Sequence, residues 1–197
     1  MTSSPSGSAP PPGRDTALPL AAAIVPEAAL SPSGRAEIRG FLVAAYAPRF
    51  SAIFSLYDFW GGPAEARVIL RDDRGAIAAH LGFSLRTIAV GEAPVRVAGV
   101  GAVATAPTQR GRGAGRAIFA ALARHLAATD AAFALLECRD AVVPFYARCG
   151  FGRSVRTVTA VDPETGLTDV STSNLMTMPL AGVPFPPGDV DLRGMRW

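Results

Sequence analysis

Three arginines and three glycines share the eight residues QRGRGAGR at 109–116. An apolar run precedes them and a helix-forming run follows. Glycines in such a turn let backbone N–H groups come close to an anion with no side chain in the way. The first amides of the following helix have no internal partners, and its dipole adds positive potential at the same place. Arg110, Arg112 and Arg116 supply fork-shaped charge, while Gly111, Gly113, Ala114 and Gly115 complete the cradle. The ligand this suits is a pyrophosphate. The stretch is neither a Walker loop, which needs GxxxxGK[ST], nor a dinucleotide fingerprint GxGxxG at the opening of a βαβ fold.

The elements that hold this turn are readable from periodicity. Before it, RVAGVGAVAT (96–105) starts as a strand, but its apolar alternation slips in phase. Val95 and Val97 share one parity, Val100, Ala102 and Ala104 the other, with Gly99 and Gly101 at the slip. That pattern predicts a β-bulge there, aiming free backbone groups sideways. After the turn, residues 114–129 form a helix with Ile118, Phe119, Leu122 and Leu126 on one side. Upstream, strands are expected near Leu20–Val25, at Ala66–Arg71 and at Ala76–Ala89. A helix capped by Ser31 or Ser33 runs to about Tyr46. The Asp72–Gly75 stretch reads as a hairpin turn. Downstream come a strand at Phe133–Cys138, a short helix over Ala141–Cys149, and strands at Val155–Val161 and Leu175–Leu180 joined by DPETG. The fold class is therefore α+β: one domain with a mixed, mostly antiparallel sheet of six to seven strands flanked by helices.

Composition narrows the function further. Hydrophobic residues make up 49% of the 197 and charged residues 18%, which suits one domain with a proper core. The net charge is +3 and every basic residue is Arg. With the abundant Ala, that reads as coding bias. The arginines are scattered and lack interleaved aromatics, so a nucleic-acid surface is not expected. Cys138 and Cys149 form no CxxC pair, which reads as packed thiols in a reducing, cytoplasmic setting, and no metal site is expected. Residues 16–30 (TALPLAAAIVPEAAL) are apolar but broken by Pro19, Pro26 and Glu27, so neither export nor a membrane partner is expected. Residues 1–19 read as a disordered Pro/Ser/Gly/Ala-rich tail, 20–180 as the domain, and 181–197 as a C-terminal extension lining the acceptor site. Homodimer formation stays open.

The combination resembles the GNAT superfamily of acyl-CoA N-acyltransferases. Its signature [QR]xxGx[GA] matches Arg110–Gly115, and its second landmark, a Tyr on a short helix just before Gly-Phe, matches PFYARCGF at 144–151 with Tyr146 in place. The stretch GAIAAHLGFSLRTIAVGE (75–92) and the closing Arg-Trp are similar to two branches, the aminoglycoside 2′-N-acetyltransferases and the nodulation-factor N-acyltransferases. The latter transfer fatty acyl groups to a glucosamine nitrogen. The resemblance implies a GNAT-like domain, acetyl-CoA as co-substrate and direct transfer of its acyl group to a small-molecule primary amine. It implies that backbone amides of Val103, Ala104 and Thr105 hold the pantetheine arm, one facing the thioester oxygen. Tyr146 would protonate the leaving thiolate.

The general base is the departure. The aminoglycoside branch carries a Glu on the bulged strand where this chain has Gly101, and residues 93–105 contain no carboxylate. Glu137, which interrupts the apolar run ALLEC, is the first substitute; Asp140, His80 and Glu92 are others. For the acceptor, Asp58 and Trp60 in the aromatic stretch 50–60, His80 and Trp197 are the candidate contacts. Two other readings stand beside the acetyltransferase. One is a longer-chain acyltransferase of the nodulation type, fed by an acyl carrier protein. The other is a non-catalytic acyl-CoA sensor, which the missing strand carboxylate favours.

Overall fold

The computed structural model describes residues 21–48, 50–56, 59 and 61–197. The N-terminal tail, Asp58 and Trp60 lie outside them. Strand β1 (Ala23–Pro26) leads through a 3-10 turn to Ser31, whose hydroxyl accepts from the Gly34 amide at 3.1 Å. With Pro32 at the first helical position, that cap starts helix α1 (Pro32–Tyr46). Helix α2 (Ser51–Leu56) follows within the aromatic stretch 50–60. Strands β2 (Ala66–Arg71), β3 (Ile77–Val90) and β4 (Ala93–Thr105) form a meander. In the β2–β3 turn the Asp72 carboxylate accepts from the amides of Arg74 and Ala76, and Gly75 takes φ +81°.

Helix α3 (Ala114–Leu126) connects β4 to strand β5 (Phe133–Cys138), which runs parallel to β4. A 3-10 turn at Asp140–Val142 and helix α4 (Val143–Ala147) replace the single helix expected over Ala141–Cys149. Strands β6 (Gly152–Val161) and β7 (Thr168–Pro179) form a long hairpin, and β8 (Val190–Asp191) ends the sheet. Strand β7 starts before the expected Leu175 because its first half, TDVSTSN, is polar and exposed and shows no apolar alternation. The sheet has eight strands in the order β1-β2-β3-β4-β5-β7-β6-β8. The strand that takes it past seven is β8, two residues inside the C-terminal segment and too short to carry a period. It pairs with both β6 and β3, so the sheet curls until one end closes on itself.

Three cores follow from this shape. Ile118, Phe119, Leu122 and Leu126 of α3 pack on Val68, Leu70, Leu81 and Phe83. Ile38 and Leu42 of α1 cover the other face with Ile69, Ile77, Ala102 and Ala104. Strand β2 is buried on both faces, which explains its unbroken apolar run. The third core fills the curl, from Ile88 and Val97 to Leu175 and Leu192.

Buried polar side chains mark the joints. Ser84 accepts from the Trp197 indole N–H at 2.7 Å, and the Arg86 guanidinium lies 4.4 Å from that ring's centre. The ring occupies space that Gly99 leaves: a Cβ at Gly99 would fall inside it. A Cβ at Gly101 would stand 2.6 Å from the Trp197 backbone carbon. Beneath α1, Arg67 and His80 are 1% and 0% exposed. Arg67 Nε donates to Glu27 at 2.7 Å, and its Nη1 lies 3.5 Å from His80 Nε2. His80 Nδ1 meets the Ala102 carbonyl at 2.9 Å, so Nδ1 carries the proton. Burial pushes the His80 imidazole down to about 4; the Ala102 bond opposes this and the Arg67 charge adds to it. Burial alone would raise the Glu27 carboxyl, but bonds and charge from Arg67 and Arg35 carry it below its ordinary value.

Gly99→Ala is expected to displace the indole and cost about 1–3 kcal/mol, the usual range for overpacking. In a Trp197→Ala background the same change should cost far less, a coupling that urea denaturation of the four proteins in the cycle measures. Acid should also weaken the fold through His80. Unfolded, this imidazole takes up a proton below about 6.5; folded, only near 4. The unfolded chain thus binds more protons in that window. The increment, up to about 3 kcal/mol, is complete above the unfolded value and fades as pH falls towards the folded one. Urea midpoints measured across this window should fall more steeply for the wild type than for His80→Asn.

Candidate active site

Parallel pairing between β4 and β5 covers only Val97–Gly99 with Phe133–Leu135. Beyond Gly99 the two strands part, and the edge of β4 facing β5 has no strand partner. At the opening β4 is bulged. The register with β3 passes from Gly82↔Gly101 to His80↔Ala104, so Ala102 and Val103 together oppose one residue. Ala102 takes a left-handed φ of +49°. The sequence had placed the bulge at Gly99–Gly101. It lies just beyond, and those glycines are needed for the close approach of Trp197. The Val103 carbonyl accepts from the Tyr46 hydroxyl at 2.6 Å. Burial raises that phenol to about 12.

A hollow of about 890 Å³ opens on one side of this gap. Val103, Ala104 and Thr105 line it, as do Arg110, Gly111, Gly113, Ala114, Gly115 and Arg116. Gly111 and Gly113 have φ of +75° and +87°, and Gly113 is the residue before α3. The turn expected to be glycine-lined is therefore built from left-handed backbone with nothing within 4 Å of where their side chains would be. Gly115, which lines the hollow, serves a further need. A Cβ there would sit 2.8 Å from the Phe145 ring, so this glycine lets α4 lie against α3. Arg112 is exposed and does not line the hollow. Arg139 and Arg148 do, and sequence reasoning had missed both. Among the described residues, no ion pair engages Arg110, Arg116, Arg139 or Arg148. Four uncompensated guanidinium groups around open backbone amides make an anion site.

A second hollow, about 410 Å³, lies on the other side of the gap. Tyr46, Phe50, Val103, Arg139, Val142 and Tyr146 line both, so the two meet there. Tyr146 is 8% exposed, and burial lifts its phenol well above the ordinary tyrosine value. Its hydroxyl has no hydrogen-bond partner among the described residues. It is a protonated O–H at a junction, held by edge-to-face contacts with Phe119 and Phe145.

The other expected site residues are placed less simply. Glu137 lines the second hollow, but both its oxygens are engaged by Arg196 Nη1, and one also by the Ser173 hydroxyl. Arg196 further reaches Asp169, Ser171 and the Val158 carbonyl. Asp140 pairs with Arg153 and Asn174. His80 corrects the expectation of a substrate contact: it is fully buried under the bulge and lines neither large hollow. Trp197 walls the second hollow. Cys138 and Cys149 are free, half-buried thiols whose burial raises their pKa. Among the described residues no cluster could hold a metal ion, and no helix is long and apolar enough to cross a membrane.

Solved structures share this architecture. A GNAT-family acetyltransferase from Brucella melitensis, determined with acetyl-CoA, is 22% identical with a TM-score of 0.52, over 86% of this chain and 94% of that one. The Escherichia coli GNAT-family N-acetyltransferase YhbS, determined with CoA, is 20% identical with a TM-score of 0.55, over 92% and 93%. The Escherichia coli ribosomal-protein-S18-alanine N-acetyltransferase is 19% identical with a TM-score of 0.51, over 83% and 99%. A search of curated proteins finds no match. A family model described as Nodulation protein A (NodA) matches residues 21–180, nearly all of the described domain. With the bulged, parted strands, the glycine turn and Tyr146 all in place, the chain belongs to the NodA family, on the GNAT fold of acyl-CoA N-acyltransferases.

Proposed function

We propose that this protein transfers an acyl group from an acyl-CoA thioester to the primary amine of a small molecule, an amino sugar or aminoglycoside-like acceptor. The observation that carries this reading is the position of the Tyr146 hydroxyl, unpartnered and at the meeting of the anion-lined hollow and the second one. The turn 110–116 with Arg139 and Arg148 suits the diphosphate of the donor. The unpaired β4 edge suits its pantetheine amides, which add as a further strand. The amine enters from the second hollow.

The amine nitrogen forms a bond to the thioester carbon and the C–S bond breaks. The proton lost from nitrogen passes to water in the cleft, because Glu137 would have to give up its Arg196 pair to accept it. A backbone amide at the bulge stabilises the carbonyl oxygen. The departing sulfur takes the phenolic proton of Tyr146, which solvent then replaces.

Acetyl-CoA is the first donor to test. One observation favours a longer acyl chain as the alternative: the second hollow is far larger than a two-carbon group needs, and Phe50, Val100, Leu136, Val142 and Trp197 give it apolar walls. Each methylene buried there contributes about 0.8 kcal/mol, or about fourfold in kcat/KM.

Thiol release from acetyl-CoA should require an amine from an amino-sugar panel. Tyr146→Phe should lower kcat by about 10²–10⁴-fold. Saturating acetyl-CoA should still raise its melting temperature, since a hundredfold excess over Kd stabilises by about 2.7 kcal/mol. Equal, amine-independent release by both proteins would favour a sensor over an enzyme. Across donors of increasing chain length, kcat/KM should be flat or falling for an acetyltransferase. A rise of about fourfold per methylene marks the longer-chain reading.

A further inference from the structure

Ala102 is held in a conformation that an L-residue with a Cβ adopts at a cost of about 1–2 kcal/mol. Such a conformation persists only where its surroundings over-determine it. Here they do so through one chain of polar groups, buried at Arg67 and His80, that runs from the end of β1 across β2 and β3 to β4. Glu27, just after β1, binds Arg67 on β2 and Arg35 on α1. Arg67 lies against His80 Nε2 on β3, and His80 Nδ1–H reaches the Ala102 carbonyl on β4. Neither Arg67 nor His80 meets solvent, and His80 touches neither large hollow. The ring therefore acts on the bulge and not on a ligand.

The consequence follows from peptide planarity. In a trans peptide the C=O and the next N–H point in opposite directions within one plane. Holding the Ala102 carbonyl towards β3 turns the Val103 N–H away from β3, towards the side where β4 and β5 have parted. Val103 has no register partner in β3 or β5, so no strand ladder fixes that amide. The Tyr46 bond to the Val103 carbonyl fixes the next peptide. We propose that His80 is a positioning residue: through the 102–103 peptide it aims the Val103 N–H at the thioester oxygen of the donor, with Arg67 and Glu27 anchoring the ring. This rests on the acyl-transfer reading above.

The test compares His80→Asn, whose side-chain amide N–H falls near the place of Nδ1–H, with His80→Gln, whose amide falls near Nε2 and cannot reach the Ala102 carbonyl. With acetyl-CoA and the best amine of the panel, His80→Gln should lose about 10²–10³-fold in kcat, the usual cost of one oxyanion donor. The KM for acetyl-CoA should stay close to wild type, and His80→Asn should recover at least about a tenth of the wild-type kcat. A structural role alone would lower both variants together and follow their melting temperatures. Equal kcat for Asn and Gln, or a loss seen mainly in KM, overturns the proposal. A second readout does not depend on turnover: the Val103 amide resonance of ¹⁵N-labelled protein. It should stay near its wild-type position in His80→Asn and move in His80→Gln. If the wild type turns over no acyl-CoA, the acyl-transfer reading fails, while this resonance still decides whether His80 sets the amide. An unmoved resonance in His80→Gln sinks the positioning role.

Discussion

Three register pairs hold β4 to β5, and then the strands separate. Everything distinctive about the molecule depends on keeping that gap open. Two strands with free edges in a common sheet would ordinarily pair along their length, because unpaired backbone groups are costly when buried. The bulge at Ala102–Val103 bends β4 away, and Tyr46 and His80 take up two of the carbonyls it frees. Trp197 then fills the base of the gap against Gly99 and Gly101. What is left is a backbone edge with donors to spare, facing a cleft.

The charges divide in a way that matches this shape. Charges set into the fold are paired: Glu27 with Arg67 and Arg35 beneath α1, and Glu137 with Arg196 at the wall of the second hollow. Buried charges of this kind must be paired to be tolerated at all. The arginines around the larger hollow, Arg110, Arg116, Arg139 and Arg148, are exposed at their positions and have no such partners among the described residues. Paired charge thus fixes the scaffold, and unpaired charge remains where an anionic ligand can supply the partner.

Much of this was legible in the sequence, and the limits have physical causes. The bounds of β2 and β5 were read from short unbroken apolar runs, because both strands are buried, and the start of α3 from the apolar period of a helix with one face on the sheet. The glycine turn was visible because left-handed backbone needs glycine. Strand β8 and the polar half of β7 carry no period, so neither could be seen. The roles of Gly99 and Gly101 were misread, and a second role of Gly115 was missed, for one reason: a glycine reports that something lies close, but not what. Here it was an indole, a backbone carbon and a phenyl ring. Arg139 and Arg148 escaped because they reach the hollow from beside α4, far from the turn in sequence. Asp58 and Trp60 fall outside the described residues. His80 was weighed as a base from its type. Its depth, set by α1 folding over β3, is a tertiary fact.

A site made this way constrains the chemistry it can serve. Few of its reactive-looking side chains are free: Glu137 and Asp140 are paired, and His80 is sealed from the cleft. What the cleft does offer is oriented backbone, guanidinium groups and, beside the Tyr46 hydroxyl bound to Val103, the phenol of Tyr146. A thioester already carries its activation, so transfer to an amine needs mainly alignment, a donor for the carbonyl oxygen and a proton for sulfur. In the proposed reaction the first two come from peptide groups whose direction is set by residues outside the cleft. On that proposal the catalytic geometry is written largely in the packing behind β4, where substitution would be felt at the reaction without touching a substrate.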